Sequence, residues 1–502
     1  MMQHLNLKQK LKIPPSINRN FNVHCVLQRH NEALYEASCV TEDSNELPST
    51  TQKPTPRSNQ PNINTVFSNV ESFALGGTKH QKLTQSIVEM VVMDNLPISH
   101  VEGKGFLQLM KHQYPLYKVP TRNTIKAEIE KMYNREVEKC TKMLSHVSNI
   151  CLTTDIWTDT QMNSMSGVTV HGLFESKKFY GTISVFKLTQ AHTAAHISEV
   201  IKGSLSEFSI NKSNVIAVVT DNGANIVKSI YNTFGKNHHI PCFAHTLNLI
   251  CDSSLNTPEV SNIITSCRAI VTWFKRHVKA NDNLRQLQIS AGISEGKQLK
   301  LILAVKTRRN STYYMLARLI QLIQYVSQIL ISFSDAPPMI TTKKKEEVIE
   351  MIGLLRPLKA MTTQISGEKY ATLSQVIPLA HCGRQQIMKI SCTSVAADKL
   401  KTNILKQFDR RFAEMEHSFL LAASTLLHPR FKKIHFQNPI ALSTVMRHIR
   451  REMAEIEHME DSIGSGSETS SAGDTEFELW APHKSLAHKQ KRNENDLTQP
   501  QD

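Results

Sequence analysis

The order of the predicted strands and helices between residues 148 and 256 constrains the fold most. Three alternating apolar stretches, NICLTTDIWT, SGVTVHGLFE and KFYGTISVFKL, follow one another with short links, which predicts an antiparallel meander. A helix (TAAHISEVIKGSLSEF), a buried strand (VIAVV) and another helix (ANIVKSIYNTF) come next. A strand that follows such a helix tends to lie parallel to an earlier strand, through a right-handed crossover. The region therefore predicts a mixed α/β domain.

Two aspartates occupy notable positions in this order. Asp155 lies within the first predicted strand, and Asp221 follows the fourth, at a strand-to-turn junction before a helix. Ligands of α/β sheets bind beyond the carboxyl ends of strands, so neighbouring first and fourth strands would bring the two carboxylates together. Such a pair suits Mg²⁺ or Mn²⁺, because hard cations prefer oxygen ligands. The alternative is that Asp155 braces a turn and that TDNG is simply a favourable turn sequence.

Helical periodicity flanks this domain on both sides. Residues 66–147 predict a small helical domain, in which Leu83, Ile87, Met90 and Val91 share one helix face and Thr124 caps a long helix. Residues 257–455 predict a large helical domain, with YYMLARLIQLIQYVSQILISF as one long helix.

The two ends of the chain have a different composition. Residues 1–65 contain the polar, proline-rich stretch NELPSTTQKPTPRSNQPNIN, which predicts disorder. Residues 456–502 contain EDSIGSGSETSSAGDTEFE, which predicts an acidic and polar tail.

The net charge of +15 favours anionic partners, and nucleic acid first. The alternative is a basic soluble protein whose charge only keeps it in solution. Nine cysteines without a C-x-x-C pair do not fit a secreted disulfide framework. No apolar run approaches the ~20 residues that span a bilayer, so neither a membrane segment nor a secretory signal is expected.

Several motifs together resemble the hAT transposase superfamily, and in particular the zinc finger BED domain-containing proteins derived from it. They are LTTDIWTDTQMNSMSGVTVH, VIAVVTDNGANIVKSI, HIPCFAHTLNLI and TRRNSTYYML, followed in order by STLLHPRFKKIHF and LWAPHKSLAHK. The resemblance extends over roughly residues 66–490. It implies a ribonuclease-H-like core interrupted by the large helical insertion and preceded by the small helical domain.

The resemblance also implies site residues. The family uses an Asp-Asp-Glu triad, in which Asp155 and Asp221 match the two aspartates; the Glu belongs to a later segment with the dimerisation region. The chain ends at Asp502 before that segment, so we expect the third metal ligand to be absent. The family's TRWNST motif reads TRRNST here, so Arg308 and Arg309 are the expected DNA-binding residues, with Arg309 in place of the tryptophan.

Zinc is not expected. Residues 1–65 offer only Cys25 and Cys39, without the ligand spacing of a BED finger. Cys242 and His245 keep the family's C-x-x-H motif, and we expect them to brace the core as structural residues.

The resulting hypothesis is a domesticated or degenerate transposase-derived nuclear protein. It is expected to bind DNA weakly and without sequence specificity, to take part in transcriptional regulation, to need no cofactor and not to catalyse. Protein partners are expected, and dimerisation is not expected without the C-terminal region. The alternatives are an active transposase or nuclease using Asp155 and Asp221 with Mg²⁺, and a protein-interaction scaffold that does not bind DNA.

Overall fold

The structure is a computed structural model that describes residues 63–159, 161–305, 308–367 and 371–457, together with Leu479, Trp480, Pro482, His483 and Leu486. The predicted N-terminal disorder and most of the predicted acidic tail lie outside these residues, as do Cys25 and Cys39. The chain divides into two compact units, one that ends at Pro241 and one that begins at Cys242.

The first unit opens with a small helical region. Its helices are α1 (Ile63–Phe73), α2 (Thr78–Met93), α3 (Lys104–Gln113) and α4 (Arg122–Ser145). The predicted apolar face of α2 is confirmed in its centre, where Ile87 and Val91 are buried together with Val88 and Val92.

The predicted cap of α4 was wrong by one turn. The cap is Thr121, whose Oγ1 accepts a hydrogen bond from the backbone N–H of Thr124. Threonine is a favoured capping residue, so the sequence allows either Thr121 or Thr124 as the cap. In the structure Thr124 instead supplies the N–H that the cap binds.

A five-stranded mixed sheet follows, in the order β3-β2-β1-β4-β5. The strands and the two helices between them are, in chain order, β1 (Ile150–Thr158), β2 (Ser164–Phe174), β3 (Lys177–Lys187), α5 (Ala194–Glu207), β4 (Val215–Thr220), α6 (Ala224–Phe234) and β5 (His239–Pro241). The predicted meander is confirmed, since β1 pairs with β2 and β2 pairs with β3 in antiparallel fashion. The predicted parallel neighbour is confirmed as well: β4 pairs with β1, and β5 continues parallel to β4.

One face of the sheet packs against α5 and α6. This core is apolar and fully buried, as the alternation in each strand dictates. Its members include Leu152, Val168, Val170, Val218, Ile197, Ile201, Ile226 and Ile230. On the other face of the same strands, Trp157, Met165 and Val185 form a separate small cluster.

The second unit is helical in the residues that the structure describes. Its helices are α7 (Phe243–Leu255), α8 (Pro258–Arg276), α9 (Val278–Ser290), α10 (Ser311–Gln321), α11 (Ile323–Ile331), α12 (Thr342–Ile365), α13 (Val376–Lys389), α14 (Val395–Phe412), α15 (Phe419–Leu427) and α16 (Pro439–Glu457).

The long apolar helix predicted for YYMLARLIQLIQYVSQILISF was wrong, because the chain bends by 72° between α10 and α11. The break is at Leu322, which has φ −103° and ψ 7° and is itself buried. No proline or glycine marks the site. The bend lets Leu319, Leu322 and Val326 all remain buried, whereas a straight helix that is apolar all round would expose part of its surface. Within the described ranges, no single helix is long and apolar enough to cross a membrane, although this bent pair reaches that length when its two parts are taken together.

A carboxylate joins two of these helices. Glu350 on α12 accepts hydrogen bonds from the backbone N–H groups of Thr393 (2.8 Å) and Ser394 (3.1 Å) and from both of their hydroxyls. Ser394 is the cap of α14. The hydrogen bonds from Ser394 and Thr393 outweigh desolvation and lower the pKa of Glu350 to about 2.

We therefore expect Glu350→Gln to destabilise the helical unit by about 1–2 kcal/mol at neutral pH, because charge-assisted bonds to a helix start are lost. A carboxyl group whose pKa is lowered by folding stabilises the fold at pH values above its unfolded pKa, and this stabilisation is lost as the pH falls. The difference in unfolding free energy between the parent and Glu350→Gln should therefore shrink between about pH 4.5 and pH 2. Urea unfolding at pH 7 and pH 3 measures it. Glu346→Gln, at an exposed position of the same helix, is the matched control, and equal effects of the two variants would contradict the prediction.

Candidate functional site

The parallel pairing of β1 with β4 determines where the two aspartates lie. The last paired residues are Leu152 with Val218 and Thr153 with Val219. Extending that register by two residues places Asp155 opposite Asp221. Residues in register on adjacent strands project to the same face, and the strands are about 4.8 Å apart. The pairing therefore leaves Asp155, near the end of β1, and Asp221, directly after β4, at the same end of two adjacent strands.

On its other side, Asp155 faces a residue without a side chain. Its antiparallel partner on β2 is Gly167. A Cβ atom at Gly167 would lie 3.2 Å from the Trp157 ring, so the indole of Trp157 lies directly over this glycine. Asp155 is half-buried between this Trp157–Gly167 contact and β4.

Asp221 has a structural role as well. Its Oδ1 accepts a hydrogen bond of 3.0 Å from the backbone N–H of Gly223, the residue that precedes α6. The carboxylate thus closes the turn between β4 and α6, at the helix end where a negative charge is favoured. The turn interpretation of TDNG and the carboxylate-pair interpretation are consequently both compatible with this geometry.

A histidine that the sequence analysis did not assign to this site lies next to Asp221. His239 on β5 forms a 2.9 Å hydrogen bond through Nε2 to Thr220 Oγ1, and that hydroxyl donates in turn to the Asp221 carbonyl. Because the hydroxyl proton is used, the Nε2–H of His239 must be the donor to Thr220. Burial lowers the pKa of His239, and the nearby Asp221 charge opposes that shift. Only the pairing of β5 with β4 reveals this neighbour, because no local motif marks it.

The two arginines belong to the second unit and precede α10. Arg308 is exposed and Arg309 half-buried. Asn310, in the left-handed conformation with φ 57°, begins α10, and Ser311 anchors the turn by donating from its hydroxyl to the Val305 carbonyl at 2.7 Å. The arginines therefore sit on a turn whose backbone is fixed on its C-terminal side.

Cys242 and His245 lie at the start of α7. Cys242 is buried, and its carbonyl accepts bonds from both the N–H and the hydroxyl of Thr246. Over the described ranges, no group of three or more His, Cys, Asp or Glu side chains is placed to share a metal ion. The two aspartates offer oxygen donors that suit Mg²⁺ or Mn²⁺. His239 is a further titratable group, and it lies close enough to Asp221 for the two to interact electrostatically.

Comparison with known proteins supports the resemblance seen in the motifs. Residues 240–353, which include Arg308, Arg309, Cys242 and His245, match the family model of the ZBED1 RNase-like helical domain. The chain is 23% identical to human zinc finger BED domain-containing protein 4 over 82% of its own length, and 26% identical to human zinc finger BED domain-containing protein 6 over 72%. It is 24% identical to a putative AC transposase of Zea mays over 68% of its length.

The chain spans 36%, 39% and 44% of the lengths of these three relatives, respectively. The aligned part nevertheless covers more than two thirds of this chain in each case. The family resemblance predicted from the sequence motifs is therefore confirmed: the matches support a hAT-transposase-derived protein similar to the zinc finger BED domain-containing proteins.

Proposed function

We propose that the chain is a nuclear, transposase-derived DNA-binding protein that does not cleave DNA and that acts in transcriptional regulation. The observation that carries this proposal is the parallel pairing of β1 and β4, whose register, continued by two residues, supports a close approach of Asp155 and Asp221 at the carboxyl ends of these strands. Relatives named as a transposase and as a putative transcriptional regulator support the two halves of the proposal.

We further propose that the sheet domain is a ribonuclease-H-like core. Three antiparallel strands, followed by two parallel strands on the far side of β1, give the strand arrangement that agrees with the resemblance. The helical unit, part of which matches the RNase-like helical family model, then corresponds to the insertion.

The chemistry of the acid pair supports binding of a cation more directly than it supports cleavage. Two carboxylates fit Mg²⁺ or Mn²⁺, and a bound ion would supply Lewis-acid polarisation of a phosphate oxygen. One of the four carboxylate oxygens, Asp221 Oδ1, already accepts the Gly223 N–H. Within the described residues no third acid completes the site.

DNA binding is proposed on the basis of charge. The excess of 59 Lys and Arg over 44 Asp and Glu gives a net charge of +15, which favours phosphate contacts that release counterions. Arg308 and Arg309 are the proposed contact residues, because a turn fixed by Ser311 presents them beside the start of α10. A guanidinium can bind phosphate in bidentate fashion or stack on a base.

Absence of cleavage is tested with a supercoiled plasmid. We expect no nicking with Mg²⁺ or Mn²⁺, while the DNA is still retarded at low salt. Nicking by the parent chain that is lost in both Asp155→Asn and Asp221→Asn, but kept in the exposed control Asp282→Asn, would instead establish the alternative of an active nuclease. No retardation at any salt concentration would favour the scaffold without DNA binding.

The role of the arginines is tested through the salt dependence of DNA binding. Each phosphate contact contributes about 0.9 to the slope of log K against log salt, so Arg308→Gln with Arg309→Gln should reduce the slope by about 2. Fluorescence anisotropy with a labelled duplex between 50 and 200 mM salt measures the slope.

The matched control is Lys177→Gln with Lys178→Gln. This pair removes the same charge from exposed positions at the start of β3, at the end of the sheet opposite to Asp155. An equal loss of slope in both double variants would show that total charge, and not this turn, governs binding.

A further inference from the structure

A short stretch near the C-terminus packs against the helical unit. Leu479 is buried, and Gln386 Nε2 donates to its carbonyl at 3.1 Å. The Trp480 ring stacks on Phe431, with 5.6 Å between centroids and 23° between planes. The Arg430 guanidinium lies over both rings, 5.4 Å from Phe431 and 5.8 Å from Trp480.

We call the described residues Leu479, Trp480, Pro482 and His483 the 479–483 stretch. We call the surface that holds them the α13 groove; it is formed by Cys382 and Gln386 of α13 with Phe431 and His435. Two ring contacts and a main-chain hydrogen bond are the kind of anchors by which a groove recognises a short peptide.

The second anchor is a pair of imidazoles. His435 is fully buried, and its Nε2 lies 2.8 Å from Nδ1 of His483, with the rings stacked 5.0 Å apart. A single proton joins the two nitrogens. His435 Nδ1 is buried without a hydrogen-bond partner in the described part of the chain. We assign the proton to His435 Nε2, since the reverse arrangement would bury an N–H at Nδ1 that has no acceptor.

This arrangement leaves no suitable place for a second proton. The neutral pair has two nitrogens without a proton. They are His483 Nδ1, which accepts the hydrogen bond, and His435 Nδ1, which is buried. A proton on the first breaks the bond by turning an acceptor into a donor. A proton on the second creates a buried cation with an unpaired N–H.

Among the residues that the structure describes, the groups around the pair do not compensate for such a charge. Arg430 lies on the side of Trp480, and His381 is 5.6 Å from the His435 ring. Cys382 accepts the His483 backbone N–H, and burial raises the pKa of its thiol to about 12, so that it stays neutral. Among the acids of the described residues, Glu416 is already bonded to the N–H groups of Gln437 and Asn438.

The more distant titratable and charged groups on the packed elements either already have a partner or are exposed to solvent. They are His428, which stacks on Phe431, the Arg384–Asp409 ion pair, and the exposed Lys432 and Lys433. Burial, followed by the neighbouring His483 and His381, lowers the pKa of His435 to about 3. Burial and Arg430 lower the pKa of His483.

We propose that the α13 groove is a docking site for the chain's own 479–483 stretch, and that the stretch leaves the groove when the His435–His483 pair takes up a proton. Acidification then opens the contact and uncovers the Phe431 ring.

The full chain labelled with 5-fluorotryptophan tests the proposal, because it contains only three tryptophans, Trp157, Trp273 and Trp480. A histidine with a depressed pKa disfavours the docked state as the pH falls below the free value of about 6.5, so the docking constant should drop about tenfold per pH unit. The docking constant should therefore fall about tenfold between pH 8 and pH 5.5, so the fluorine resonance of Trp480 should shift toward the solvent-exposed position, while that of Trp157 stays in place and reports an intact sheet. A docking constant of the Trp480 resonance that is the same at pH 8 and pH 5.5 overturns the proposal.

Two variants identify the group that responds. His483→Asn offers an amide oxygen to His435 Nε2–H but does not titrate, so its Trp480 resonance should remain docked at pH 5.5. His448→Asn removes a partly exposed histidine that stacks on Phe419, and should titrate like the parent. Release of the His483→Asn variant over the same pH range as the parent would mean that the imidazole pair is not the sensor.

Discussion

The parallel pairing of β1 with β4 is the contact on which the rest of the sheet unit depends. β1 is the central strand, with β2 antiparallel on one side and β4 parallel on the other. A slip of β4 by one residue would turn Val218 out of the core and would turn Asp221 toward it. The burial of one face therefore also fixes the position of the carboxylates on the other.

The sheet order was predictable because it depends on local patterns and on connection rules. The alternating strands predicted the meander, and the helix before VIAVV predicted the parallel neighbour. The bounds of α6 agree with the predicted stretch ANIVKSIYNTF, because a glycine precedes it and Gly235 with φ 95° ends it.

The features that were missed depend on contacts between distant residues. The bend at Leu322 carries no proline or glycine signal and follows from what surrounds the helix. The position of His239 beside Asp221 requires the pairing of β5, a strand of three residues that no periodicity marks. The partners of Trp480 and His483 lie on α13 and on residues 430–435, and a sequence pattern cannot show such pairs.

The hydrogen bond from Gly223 to Asp221 has a consequence for anything that binds the acid pair. Asp221 Oδ1, one of the four carboxylate oxygens of the pair, holds the first turn of α6. By thermodynamic reciprocity, an ion that draws on this oxygen weakens the start of the helix, and a firmly held helix start reduces the affinity for the ion. A cation bound by the pair would therefore have an affinity linked to the stability of the first turn of α6, through Asp221 Oδ1.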